Sequence, residues 1–250
     1  MKIWCQLPIS MPESHPAYEP YYALLRADYD TVKRPDTQVT VKDVPTGLAS
    51  PDEITYVGKR FLNDREILTT MLQAEAQGYD AVAGACFFDG AIRAAQQMMS
   101  IPVVAPAQAS MQLAALLGTH FATITSDPRW IPEMEAHISE VGMREHAITN
   151  KPMRAITLAP DIFLGCLGGD YQPAVDNFIQ IAEGCIDDGA DVLIAGCGLL
   201  SPMLTAAGLH EIDGVPVIDP MLVSLKYAEM LVDYKRSGFP VTSTAGLLLA

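Results

Sequence analysis

"GYDAVAGAC" (78–86) and "GADVLIAGC" (189–197) are one pattern written twice. Gly78 matches Gly189, Asp80 matches Asp191 and Cys86 matches Cys197, and the positions between are small or apolar in both. A short apolar run that starts just after Gly reads as a fully buried strand. The likeness continues downstream: "IPVVAP" (101–106) matches "VPVIDP" (215–220), Ser110 aligns with Ser224, and Ala114 aligns with Ala228. The spacing from Cys to the first matched Pro is 16 in one copy and 19 in the other. A duplication with a period of about 110 residues is too long for a solenoid and suits two similar α/β lobes.

The rest of the chain fits around those strands. "KIWCQLP" (2–8), "TQVTVKDV" (37–44), "HFATITS" (120–126) and "MRAITLA" (153–159) read as further strands. "AYEPYYALLRADYDTV" (17–32) is expected to be a helix with Tyr22, Leu25 and Tyr29 on one face. "NDREILTTMLQAEAQG" (63–78) is expected to be a helix capped by Asn63 or Asp64 and stopped by Gly78. Residues 45–55, with two Pro and one Gly, read as a long loop. Helices are also expected in 128–142, 172–189 and 221–236, and one between Cys86 and Ile101. Strand and helix in alternation imply parallel sheets covered by helices.

The 250-residue chain is half hydrophobic, enough for one large or two small domains, and carries a formal net charge of -14. Such a chain repels phosphates, so nucleic acid and anionic membranes are not expected partners. No apolar run reaches a membrane-spanning length of about 18 residues. The start "MKIWCQLPISMP" lacks the charged region, apolar core and cleavage site of a secretory signal. Five scattered cysteines without CxxC spacing read as reduced thiols, and a cytoplasmic location is expected. The tail "SGFPVTSTAGLLLA" (237–250) is apolar and is expected to pack on a neighbour, as in a homo-oligomer.

Both Cys86 and Cys197 are expected at the carboxyl end of a strand. Ligands of parallel α/β sheets bind there, where loops meet helix N-termini. If the lobes face each other, one thiol approaches a shared cleft from each side. Racemisation without a cofactor needs that: one group removes a proton from one face of a carbon and another returns a proton to the opposite face. Cysteine suits the task because its pKa, about 8.5 when free, falls at a helix N-terminus. A buried cysteine is more often a small core residue. Cys5, Cys166 and Cys185, which have no counterpart in the duplication, are expected to be structural.

Here the sequence resembles the aspartate/glutamate/hydantoin racemase superfamily, across nearly the whole chain and most of all in its hydantoin racemase branch. "ACFFDGAIRAAQQMMSIPVVAPAQASMQLA" (85–114) resembles that branch's first cysteine segment. "LIAGCGLLSPMLTAAG…GVPVIDP" resembles the second. The resemblance implies an α/β fold of two pseudosymmetric Rossmann-like lobes with mostly parallel sheets and an interdomain cleft. The first lobe is expected from 1–106 plus 218–250, and the second from 107–217. It also implies no cofactor, a small-molecule substrate, and Cys86 and Cys197 as the catalytic pair.

The chain departs from the family's pattern in places. Hydantoin racemases usually carry an "NPN"-like turn after the first strand, and "QLPIS" (6–10) keeps only Pro8. Amino-acid racemases of the superfamily place Asn and Thr after the first Cys and Thr-His after the second. This chain has Phe87 and Phe88, then Gly198 and Leu199. Those positions are expected to contact a less charged, cyclic or aromatic substrate. Thr125 and Ser126 either cradle a substrate oxygen or, with Asp127, cap the helix beginning near Pro128. Asp89 is expected to cap the helix after Cys86, and Arg93 to lie two turns down that helix from the thiol. Tyr56 is expected at the surface. "GCLGGD" (165–170) reads as a loop, and the five dispersed His give no metal spacing. The leading reading is a racemase or epimerase acting beside a carbonyl. The alternatives are a cis–trans isomerase of an unsaturated diacid, an arylmalonate-type decarboxylase, and a binding protein without catalysis.

Overall fold

The computed structural model describes residues 1–243, so the last seven residues of the apolar tail lie outside the described region. In chain order the elements are β1 (Lys2–Gln6), α1 (Glu19–Val32), β2 (Gln38–Lys42), α2 (Val57–Met71), α3 (Gln73–Ala76), β3 (Ala81–Gly84), α4 (Ile92–Met98) and β4 (Val103–Val104). There follow α5 (Pro106–Leu117), β5 (Phe121–Thr125), α6 (Ile131–Glu140), β6 (Met153–Ala155), α7 (Pro160–Gly165), α8 (Gln172–Asp187), β7 (Val192–Ala195), α9 (Leu200–Ala206), β8 (Glu211–Ile212), β9 (Val215–Ile218) and α10 (Pro220–Arg236).

Two sheets result, in the orders β2-β1-β3-β4 and β6-β5-β7-β9-β8. All pairings between these strands are parallel except β8 with β9. β3, β5 and β7 are buried along their whole length, which is why they read as continuous apolar runs instead of alternating ones. β8 and β9 form a hairpin through Asp213 and Gly214, both with positive φ (51° and 81°). That is the two-residue turn an Asp-Gly pair favours.

The chain divides into two units. One holds Met1–Glu19, Tyr29–Pro106 and the chain from Ser224 onward; the other holds Pro20–Asp28 and Ala107–Val223. The first has a core around Trp4, Val44, Ile67, Met71, Val82 and Ile92. The second is built on Ile124, Phe178, Ala182, Leu193, Leu200 and Met203, with Leu24 of α1 among them. Each large side chain buried this way contributes about 1.5–3 kcal/mol relative to exposure. Tyr22, Leu25 and Tyr29 are all buried on α1, as their spacing requires.

The duplication extends to hydrogen bonds. Asp80, just before β3, accepts the backbone N–H of Lys2 at 2.7 Å, where the chain enters β1. Asp191, just before β7, accepts those of Thr119 and His120 at 2.8 Å each, where the chain enters β5. In each sheet the order of strand addition reverses between β1 and β3, or between β5 and β7. Ligand crevices of doubly wound sheets open at the carboxyl ends of such strands. Cys86 follows β3 and Cys197 follows β7, each at that edge of its own sheet.

Candidate active site

Cys86 is half-buried and lines an open pocket in the first unit. The walls come from the turn after β1 (Gln6, Leu7, Pro8), from α2 (Arg60, Asn63, Asp64, Ile67), and from the end of β3 with the loop beyond it (Gly84, Ala85, Cys86, Phe88, Gly90). Local bonds fix that turn: Asn63 Nδ2 donates to Pro8 O at 2.7 Å and Asn63 Oδ1 accepts from Leu48 N at 2.9 Å. Gln6 Nε2 donates to Leu7 O at 2.9 Å, and Gln6 Oε1 accepts from Trp4 Nε1 at 2.8 Å.

The loop after Cys86 is bent tightly. Asp89 and Ala91 both take positive φ (51° and 61°), a conformation that costs an L-residue such as Ala about 1–2 kcal/mol. A side chain at Gly90 would put its Cβ 2.5 Å from Asp64 Oδ1 and push that carboxyl aside. The bend brings Phe88 under Arg60, whose guanidinium carbon lies 4.5 Å from the ring centroid. Arg60 Nη1 also donates to Ile54 O at 3.1 Å. Burial pulls the Arg60 pKa down, while Asp64 and Cys86 both favour its charged form. Burial pushes the Asp64 carboxyl up, against the pull of Arg60. Asp64 Oδ1 has no hydrogen-bond partner among the described residues.

Cys197 has different surroundings. It is 6 % exposed, and its sulfur accepts the Ser126 hydroxyl at 3.1 Å. Burial pushes the Cys197 thiol up. Donors from Ser126 and from the backbone N–H groups of Leu199 and Leu200 hold it back, and the Asp127 carboxylate adds a small upward push. Those N–H groups belong to the first residues of α9 and the one before it. The Tyr21 hydroxyl donates to Gly198 O at 3.0 Å and fixes the turn after the thiol.

Pro8 and Phe88 line the Cys86 cavity; Ser126, Gly198 and Leu199 surround Cys197. Two expectations need correction. Phe87 is 2 % exposed and does not line the pocket: its ring is buried in the core, and Phe88 lines the pocket instead. Thr125 is the last residue of the fully buried β5, and its hydroxyl is sealed away with no hydrogen-bond partner among the described residues. Asp127 caps the single turn Pro128–Trp130, accepting from Arg129 N, while Ser126 serves the thiol. Tyr56 is 58 % exposed.

A helix N-terminus was expected beside both thiols and is found beside one. α4 begins at Ile92, six residues past Cys86, with Ala91 and not Asp89 at its cap position; Arg93 therefore sits in its first turn. Residues 165–170 hold the end of α7 and a short 3-10 turn. The remaining cysteines are buried. Cys5 shares a hydrogen bond of 2.8 Å with the Tyr29 hydroxyl, and burial pushes its thiol up to about 12. Burial pushes Cys185 up to about 11. Cys166 donates to Ile162 O at 3.3 Å. Among the described residues no three His, Cys, Asp or Glu side chains gather as a metal site, and no helix is long and apolar enough to cross a membrane.

Fold and thiol positions together define a duplicated, doubly wound α/β protein with one cysteine at the ligand edge of each sheet. The family model of Asp/Glu/hydantoin racemases matches residues 20–228, and the chain belongs to that family. It is 34% identical over 169 residues to the hydantoin racemase of Rhizobium meliloti, a match spanning 66% of this chain and 66% of that protein's length. The hydantoin racemase of Pseudomonas sp. (strain NS671) is 28% identical over 204 residues, 80% of this chain and 76% of that protein. Among solved structures, the allantoin racemase from Klebsiella pneumoniae has the same fold. Its TM-score is 0.79 at 24% identity, covering 99% of this chain and 92% of that one.

Proposed function

We propose that the protein is a cofactor-independent racemase or epimerase that inverts a stereocentre beside a carbonyl, with Cys86 and Cys197 as its acid–base pair. The observation that carries this reading is the placement of both thiols. They occupy equivalent positions of a duplicated fold, at the carboxyl ends of β3 and β7 beside the switch point of each sheet. Of the five cysteines only Cys86 is not buried; Cys197 is buried like Cys5, Cys166 and Cys185, and its place in the duplication sets it apart from them. A carbonyl next to the C–H acidifies it by delocalising the carbanion onto oxygen. One cysteine, as thiolate, takes the proton from one face; the other, as thiol, gives its proton to the opposite face. Each turnover leaves the two protonation states exchanged, ready for the other enantiomer.

The substrate proposed is hydantoin-like. Pro8, Ile54, Ile67 and Phe88 give the Cys86 cavity an apolar wall suited to an uncharged ring. Gly198 and Leu199 offer no side chain to pair with an ammonium or a carboxylate. Pro8, Phe88, Ser126, Gly198 and Leu199 are the proposed substrate contacts. A cytoplasmic homo-oligomer needing no metal is part of the same reading. The test is solvent deuterium uptake from D2O, run on pure enantiomers of substituted hydantoins and of free aspartate and glutamate. Hydantoins should exchange and racemise. Turnover of the free amino acids alone would overturn the substrate, and no exchange with any member would overturn the activity.

A further inference from the structure

The two thiols are not electrostatically alike. Among the described residues lining the cavity, Arg60 is the one cation and Asp64 the one carboxyl, both from α2 and one helical turn apart. The turn after β1 adds Gln6, Leu7 and Pro8, and the segment before α2 adds Ile54, all uncharged. Asp89, three residues past the thiol, is not a lining residue. Cys197, in contrast, meets the neutral donors Ser126, Leu199 N and Leu200 N, with Asp127 the charge acting on it.

We infer that Arg60 is the positioning residue for Cys86: its guanidinium, held over the Phe88 ring, supplies the positive charge that keeps the Cys86 sulfur as the thiolate of the resting protein, while Cys197 rests as the thiol. Geometry supports the assignment. Arg60 is tied at Nη1 to Ile54 O and at its face to Phe88, so the charge is held in place. Phe88 is two residues from Cys86, so the loop that carries the sulfur also carries the ring that orients the cation. Arginine stays charged even when part-buried. Asp64 is the competitor for that charge, and its burial weakens the competition. An opposite charge within about 4–6 Å favours the ionised form by roughly one to three pKa units. At Cys197, burial and Asp127 work the other way. Two titratable groups pushed apart by their surroundings mark the base and the acid. The assignment of those roles rests on the racemase reading; the charge states do not.

The test is the pH dependence of iodoacetamide alkylation, read separately for Cys86 and Cys197 by peptide mass spectrometry, without substrate. In the wild type the midpoint for Cys86 should lie below that for Cys197. Arg60→Met should raise the Cys86 midpoint by about one pH unit and leave Cys197 unmoved. Well below the wild-type midpoint the Cys86 rate should fall about threefold, since a tenfold loss of thiolate is partly offset by the greater nucleophilicity of what remains. Arg60→Lys, which keeps the charge, should recover most of the rate. Phe88→Leu, which removes the ring orienting the cation, should shift Cys86 the same way by less, and it reads the same effect if Arg60→Met does not fold. A Cys86 midpoint unmoved in a folded Arg60→Met or in Phe88→Leu, or a wild-type Cys197 that titrates below Cys86, would overturn the inference. If the racemase reading alone fails, these profiles persist in a protein without turnover.

Discussion

Replacing Ser126 with Ala takes one hydroxyl donor from the Cys197 sulfur and leaves the backbone N–H groups of Leu199 and Leu200 in place. A hydrogen bond to a charged acceptor contributes about 1.5–3 kcal/mol. At 3.1 Å to a sulfur the low end applies, which corresponds to a rise of about one pKa unit for Cys197. Below its midpoint the Cys197 thiolate population then falls about tenfold. The remaining thiolate is a stronger base, so racemisation should slow by a factor of roughly three to ten. Both directions must slow equally in kcat/KM. Two enantiomers of a compound with a single stereocentre have the same energy, so the equilibrium constant is one whatever the enzyme does. Polarimetry from each pure enantiomer, across the neutral and alkaline range, measures it. The alkaline limb of the kcat/KM profile, set by loss of the Cys197 proton, should move up by about one unit, and Ser126→Thr, which keeps a hydroxyl, should restore most of the loss. A Ser126→Ala enzyme with unchanged kcat/KM and an unmoved alkaline limb would refute the coupling of Ser126 to Cys197.

A second prediction concerns Asp28 and Asp219, buried together in the second unit. Burial pushes both carboxyls up, and Asp28 is pushed further by the Asp219 charge. A carboxyl raised in the fold stabilises at low pH and loses that contribution as pH rises through the folded value, so Asp28→Asn should melt higher than wild type from the ordinary carboxylate range upward. The gap should close in acid; a thermal-melt series showing it widest in acid would contradict the burial argument. In limited iodoacetamide labelling of the native protein at neutral pH, Cys86 should react well ahead of Cys5 and Cys185, whose thiols are sealed and pushed up. Equal labelling of the three would show that burial does not decide reactivity here.

Much of the fold was legible because parallel strands are buried on both faces. The runs at 81–84, 121–125 and 192–195 could hardly be anything else, and the repeat placed the thiols at strand ends. Other features were hidden by tertiary bonding. Asn63 looks like a helix cap, yet α2 begins six residues earlier, because the Asn63 carboxamide is used by Leu48 N and Pro8 O. Arg60 lies before the expected helix start and carries no motif of its own, so its place in the Cys86 pocket had no sequence signal. The left-handed turns at Asp89 and Ala91 carry no glycine signal, so the delayed start of α4 and the loss of a helix end at Cys86 could not be read. α5, α7 and α9 are Ala-, Gly- or Pro-bearing segments with weak apolar periodicity. β8 was not among the expected strands, although the Asp213-Gly214 pair before Val215 is a hairpin signal. Phe87 and Thr125 were adjacent to the right positions but faced inward, where a shift of one residue reverses the side chain.

The central claim, one thiol for each face of the carbon, is tested most directly by deuterium exchange. Pure enantiomers of a hydantoin substrate are incubated in D2O with Cys86→Ser and with Cys197→Ser, and the α-position is followed by NMR. Serine is nearly isosteric with cysteine and far less acidic, so the fold should stand while proton transfer at that position fails. Each variant should lose racemisation and still exchange one enantiomer through the thiol it keeps, with opposite enantiomers exchanged by the two variants. Near wild-type racemisation by either variant, or exchange of the same enantiomer by both, would contradict the two-thiol account.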